Sequence, residues 1–182
     1  MMVKKKEKIG AIIQARMSSK RLPGKTLKLI NGIPILEHVI LKIKKSRFIN
    51  TCIVATTKEK EDLKIINFCK RKSHKYFIGD KNDVLSRFYH CAKKNNLDTI
   101  VRITSDNPLV DMSIVDKTIN MYKGNYDYVA NNIIKTFPHG LDVEVFNFKS
   151  LEKSFLESKS SHEREHVTQY IRHNPKKFKI SN

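Results

Sequence analysis

Two hydrophobic periods alternate along this chain of 182 residues, short continuous apolar runs and longer stretches with helical spacing. The run Ile9-Gly10-Ala11-Ile12-Ile13 predicts a buried first strand that ends at Gln14. Ile35, Leu36, Val39, Ile40 and Ile43 share one helical face behind Pro34, which predicts a helix opened by proline at a first-turn position. A second strand is predicted at 51–56, then a helix over 59–72 that turns Leu63, Ile66 and Cys69 inward with Phe68 at the edge of that face. A short strand at 75–78 precedes a helix over 83–94, for which Asn82 or Asp83 supplies the N-cap. A strand at 99–104 leads into Ser105-Asp106-Asn107-Pro108, followed by a helix at 112–122. Two further strands, 128–131 and 142–146, flank a loop with Pro138 and Gly140, and helical sequence returns at 151–157 and 163–173. Strands alternating with helices read as βαβ units and therefore as an α/β fold with a largely parallel sheet. With no repeat and no linker, residues 1–182 are expected to form one domain.

Composition narrows the picture by exclusion. No apolar run approaches the roughly 20 residues of a membrane span, and the basic start is followed by a run too short for a signal peptide, so a cytoplasmic protein without membrane contact is expected. The three cysteines, widely spaced and odd in number, read as free thiols. The formal net charge is +18, but lysines outnumber arginines and scatter over helix faces and loops. No aromatic RNA-binding motif or arginine stripe accompanies them, so a nucleic-acid partner is not expected.

The loop after the first strand carries the chemistry. Gln14, Ala15, Ser18 and Ser19 stand among four cations, Arg16, Lys20, Arg21 and Lys25. Point charges, guanidinium forks and backbone amides beside small residues suit anionic oxygens, and a polyphosphate above all. Residues 19–26 match the P-loop pattern except that Ser19 replaces its first glycine. That motif needs a helix to begin at its Gly-Lys-Thr end. Here Asn31-Gly32 and Pro34 punctuate the chain as a turn, so the loop reads as phosphate-binding without being a P-loop.

Three acidic segments invite roles. Asp106, just past a strand, is placed either to ligate Mg2+ at the phosphate edge or to cap its turn. Asp142 and Glu144 alternate along a strand and share a face, as a metal or acceptor site or as a solvent-facing edge. Residues 162–166 spell H-E-x-x-H, but a catalytic zinc needs a third protein ligand. His173 on a continuous helix would lie roughly 10 Å beyond His166, so Ser160 or Ser161 capping that helix, with Ser160 and Glu163 as a capping box, is the preferred reading.

Residues 12–25 (IIQARMSSKRLPGK) resemble the signature loop of the cytidylyltransferases that make CMP-sugars, the enzymes activating 3-deoxy-manno-octulosonate and the acylneuraminates. Residues 30–39, 83–89, 102–111, 140–146 and 163–168 extend the resemblance, most closely to the branch called spore-coat polysaccharide biosynthesis protein F. The resemblance implies a Rossmann-like, GT-A-like three-layer sandwich with a mostly parallel mixed sheet. It implies CTP as nucleotide, a sugar acid or sugar phosphate as acceptor, Mg2+ as cofactor and pyrophosphate as leaving group, in the service of surface polysaccharide. A homodimer with the late helices near its interface is compatible with it. By the family pattern Gln14, Ala15, Arg16, Ser18, Ser19, Arg21, Lys25, Asp83 and Arg87 hold the nucleotide, and Arg16, Lys25 and Asp106 carry catalysis. Asp106 and Asp142 would ligate the metal, and Asn131, Asp142 and Glu144 the acceptor. Relatives usually continue into a strand, a helix and a further acidic motif, and tend to carry an acid where His139 stands. A GT-A glycosyltransferase and a silent nucleotide- or nucleic-acid-binding module are the competing readings. The cationic loop, suited to a departing pyrophosphate, disfavours the first.

Overall fold

The computed structural model describes residues 6–19, 22–123, 125–135, 137–138 and 140–182. Its strands, in chain order, are β1 (Ile9–Gln14), β2 (Leu29–Ile30), β3 (Ile33–Pro34), β4 (Thr51–Thr57), β5 (Lys75–Gly79), β6 (Thr99–Thr104), β7 (Tyr128–Ala130), β8 (Glu144–Asn147) and β9 (Ile180–Ser181). The helices are α1 (Ile35–Ile43), α2 (Leu63–Arg71), α3 (Val84–Lys94), α4 (Met112–Tyr122), α5 (Phe148–Glu157), α6 (Ser161–Glu165) and α7 (Gln169–His173). Seven strands form one sheet in the order β5-β4-β1-β6-β8-β7-β9. The four strands β5, β4, β1 and β6 are parallel, while β8 runs antiparallel between β6 and β7.

The period-2 alternation of β1 divides the core. Ala11 and Ile13 pack with α1, α2 and α4 on one face. Ile12 packs with α3, α5 and α7 on the other. Both faces of the central strands are thus covered, as a parallel sheet requires, and the result is the Rossmann-like three-layer arrangement that the resemblance implied. Among the described residues no helix is long and apolar enough to cross a membrane.

Asn31 and Gly32 take positive φ (50° and 78°) and close a tight hairpin between β2 and β3, which confirms the turn that argued against a P-loop. Three expectations need correction. Leu63 is 47% exposed, while Ile65 and Phe68 join Ile66 and Cys69 in the core. The reason is Asp62, which closes a 3-10 turn (Lys60–Asp62) facing inward and so rotates the next residue outward. Asp142 precedes β8 and is exposed, so it does not alternate with Glu144 along that strand. The helix expected over 163–173 is two short helices. Val167, buried in the second core at φ 24°, breaks it, a conformation that a β-branched residue adopts only when packing compels it.

Ile12, fully buried on the central strand, tests the packing. Ile12→Ala should cost about 2–5 kcal/mol, read as a lowered urea midpoint at unchanged m-value.

Candidate active site

The strand order reverses at β1, whose two neighbours β4 and β6 are reached by helices on opposite faces of the sheet. Open α/β sheets leave a crevice at such a point, outside the carboxyl ends of the strands. A cleft of about 760 Å³ lies there, lined by Gln14, Arg16, Ser18, Ser19, Pro23, Lys25, Thr26, Thr104, Ser105, Asp106 and Glu165.

The loop forming its wall is tied down at several points. Ala15 N–H donates to Ala55 O on β4 (3.0 Å), and Ser105 N–H to Gln14 O (3.0 Å). Gly24, at φ 73°, donates to Met17 O (3.0 Å) and closes the loop on itself. Thr26 Oγ1 donates to Arg16 O (2.9 Å) and lies 3.2 Å from Ser105 Oγ. The buried Asp62 carboxylate accepts from Met17 N–H (2.6 Å) and from the Thr57 hydroxyl. Only a single 3-10 turn, Lys25–Leu27, follows Gly24, and no α-helix begins there. Arg16 and Ser18 remain exposed to the cleft.

Lys25 and Asp106 form a direct ion pair across the cleft floor. Desolvation, the largest influence on Asp106, works to raise its pKa. Hydrogen bonds from Lys25 and Thr104, with the Lys25 charge, outweigh it and hold the carboxyl below the ordinary range. A basic loop, an ionised carboxylate and a cation that can turn from it toward an incoming anion make a site for phosphoryl chemistry.

A cytidylyltransferase family model matches residues 10–181. The chain belongs to the cytidylyltransferase family. A solved cytidylyltransferase from Leptospira borgpetersenii serovar Hardjo-bovis superposes with TM-score 0.91 at 36% identity, over 96% of this chain and 75% of that one. The spore coat polysaccharide biosynthesis protein SpsF of Bacillus subtilis is 32% identical over 93% of this chain and 72% of its own length. A 3-deoxy-manno-octulosonate cytidylyltransferase of Fusobacterium nucleatum is 37% identical over 66% of this chain and 48% of its own.

In this cytidylyltransferase, Gln14, Arg16, Ser18, Ser19, Lys25 and Asp106 come together in one cleft, and Ala15 opens its loop. Arg21, like Lys20 and His139, lies outside the described residues. The remaining expected site residues do not line the cleft. Arg87 is 1% exposed and donates to Asp80 O (2.8 Å). Burial lowers its pKa to about 10 against the pull of nearby Asp62. Asp83 caps α3 by accepting from Ser86 N–H (2.8 Å) and binds Arg164 of α6 through Nε (2.8 Å) and Nη2. Asn131 bonds the backbone of its own loop, donating to Leu141 O (2.8 Å) and accepting from Val143 N–H (2.9 Å). Asp142 is exposed and is not among the residues lining the cleft. Glu144, 5% exposed, pairs with Arg102 at 2.5 Å.

Glu165 is the acid that the residue-by-residue reading missed. It lines the same cleft as the loop, in the 163–168 segment whose H-E-x-x-H spelling drew attention elsewhere. That spelling is not carried by one continuous helix, because α6 ends at Glu165 and His166 stands beyond it, and the spacing argument against zinc fails. The break at Val167 folds His173 back until its ring centroid lies 6.5 Å from that of His162. Among the described residues no three metal-type side chains converge. Ser160 caps α6, accepting from Glu163 N–H (3.2 Å).

The Arg102–Glu144 pair gives a pH prediction. Burial, the largest influence on Glu144, would raise its pKa. The Arg102 charge, the Thr168 hydroxyl beside it and the Arg172 charge outweigh burial and leave the carboxyl below the ordinary value of 4.5. A depressed folded-state value means that the stabilisation is complete above pH 4.5 and is lost as the pH falls through the lowered value. Glu144→Gln should cost about 3–5 kcal/mol at neutral pH. The gap from the parent chain should narrow as urea titrations are carried down to about pH 3.

Proposed function

We propose that this protein transfers CMP from CTP to a sugar-type acceptor, a sugar acid or sugar phosphate, with release of pyrophosphate, and that the product serves surface polysaccharide. The observation that carries the reading is the Lys25–Asp106 pair at the β1/β6 edge, beside the cationic loop. The names of the Bacillus and Fusobacterium relatives support a saccharide context and a sugar acid.

The loop amides and the Arg16 guanidinium receive the phosphate chain. Lys25 turns from Asp106 onto the phosphate oxygens, where its charge follows the leaving pyrophosphate. The wall, held by Asp62 and Thr26, keeps the donors in place so that little reorganisation accompanies the transfer. Mg2+ fits the donor chemistry of the site. Asp106 presents a hard, ionised carboxylate where phosphates enter, and this ion ordinarily takes only one or two protein carboxylates. Asp106 would hold it. When bound, the ion neutralises charge on phosphate oxygens.

The test is pyrophosphate release from CTP and Mg2+ over a panel of sugar acids, including 3-deoxy-manno-octulosonate, and sugar phosphates, with ATP, GTP and UTP as controls. CTP-specific release should fall roughly 10²–10³-fold in kcat for Asp106→Ala and for Lys25→Ala. A parent chain that neither binds CTP calorimetrically nor releases pyrophosphate with any acceptor refutes the reading.

A further inference from the structure

Gln14 ends β1 on the sheet face of Ile12, and Arg102 and Glu144 lie on the same face as Ile100 and Phe146 of their strands. Arg102 and Glu144 are directly paired in the β6–β8 register. The guanidinium reaches both neighbours, Nη1 donating to Glu144 Oε1 (2.5 Å) and Nη2 to Gln14 Oε1 (3.3 Å). Guanidinium carries donors only, so Gln14 can face it only with its carbonyl oxygen, whichever way an amide is drawn. The amide nitrogen is the end left for the cleft, which Gln14 lines. Among the described residues Arg102 is its side chain's one hydrogen-bond partner.

A buried ion pair contributes little net stability compared with apolar packing, but it can hold an orientation. Without Arg102 the amide is free to flip and to offer the cleft a donor or an acceptor. With Arg102 fixed by Glu144, it offers a donor alone.

We propose that the Arg102–Glu144 pair is a positioning device that locks Gln14 as a hydrogen-bond donor to a ligand oxygen, either a phosphate oxygen of the nucleotide or an oxygen of the acceptor. The inference rests on the transfer reaction proposed above. Gln14 then makes the cleft selective for ligands that bring an acceptor oxygen to the end of β1.

Gln14→Glu separates this role from a structural one. One carboxylate oxygen keeps and strengthens the bond to Arg102, so the thermal midpoint should not fall. The other replaces the amide nitrogen and repels an oxygen facing it. Calorimetry with CTP and Mg2+ should show affinity at least about tenfold weaker if the oxygen belongs to the nucleotide. If it belongs to the acceptor, CTP affinity holds, and KM for the panel acceptor that supports release rises by at least about tenfold. Arg102→Lys keeps a charge beside Glu144 but lacks the second planar nitrogen. It should raise the same constant in the parent chain and change nothing further in Gln14→Ala, where no amide remains to orient. A parent chain active with CTP whose Gln14→Glu variant matches it within about twofold in both constants overturns this inference alone, as do additive losses for Arg102→Lys and Gln14→Ala. A parent chain without CTP binding or turnover removes the reaction reading, and this inference with it.

Discussion

Burial of β1 on both faces is the constraint from which the site follows. With Ala11 and Ile13 committed to one core and Ile12 to the other, no polar side chain is available along the strand until Gln14. The strand can present chemistry only where it ends. At that end β4 and β6 flank it in parallel and take up its last backbone groups, Ala15 N–H by Ala55 O and Gln14 O by Ser105 N–H. The loop therefore leaves from a fixed point, between two strand ends that each deliver a functional group: Thr57 to hold Asp62, and Asp106 to meet Lys25.

The scarcity of acids sharpens this arrangement. Against 36 lysines and arginines the chain has 18 acids, and several of those near the site are engaged inside the fold. Asp62 holds the loop backbone, Asp83 joins α3 to α6 through Arg164, and Glu144 compensates Arg102. Arg16 faces the cleft without an ion-pair partner among the described residues. An excess of cations that would be unremarkable when scattered over a surface becomes, gathered along one cleft, a field that favours a polyanion.

Strand and helix succession was legible because each element buries an apolar face of regular period, and the loop chemistry was legible because its residues are contiguous. What failed were inferences that extend a local pattern past a tertiary demand. The phase of α2 is set by inward-facing Asp62, whose partners Met17 and Thr57 lie in other segments. Asp142 and Glu144 look alike in sequence, yet β8 begins between them and only Glu144 meets Arg102. The helix through 163–173 ends early because Val167 must reach the second core. That break also leaves Glu165 in the cleft and moves His173 back toward His162. Arg87 fits a family motif, but its burial is visible only once α3 is packed against Gly79.

Two ion pairs of similar composition serve opposite ends in this site, and burial explains the difference. Lys25 and Asp106 keep 25% and 37% of their side chains exposed. Solvent screening leaves such a pair worth about 0–1 kcal/mol, so an arriving phosphate or cation can take either member at little expense. Arg102 and Glu144 are far more enclosed, at 16% and 7%, and losing one partner strands the other in a medium that cannot solvate it. Exchange there is prohibitive, and the pair acts as fixed geometry. The same sheet edge thus holds a pair poised to part and a pair that cannot, and Gln14 stands between them, lining the cleft of the first while bonded to the second. The transfer proposed above has to release pyrophosphate yet keep its reactants aligned and so needs both behaviours, and strand register distributes them: Asp106 lies beyond the last paired residue of β6, while Arg102 lies within its pairing to β8.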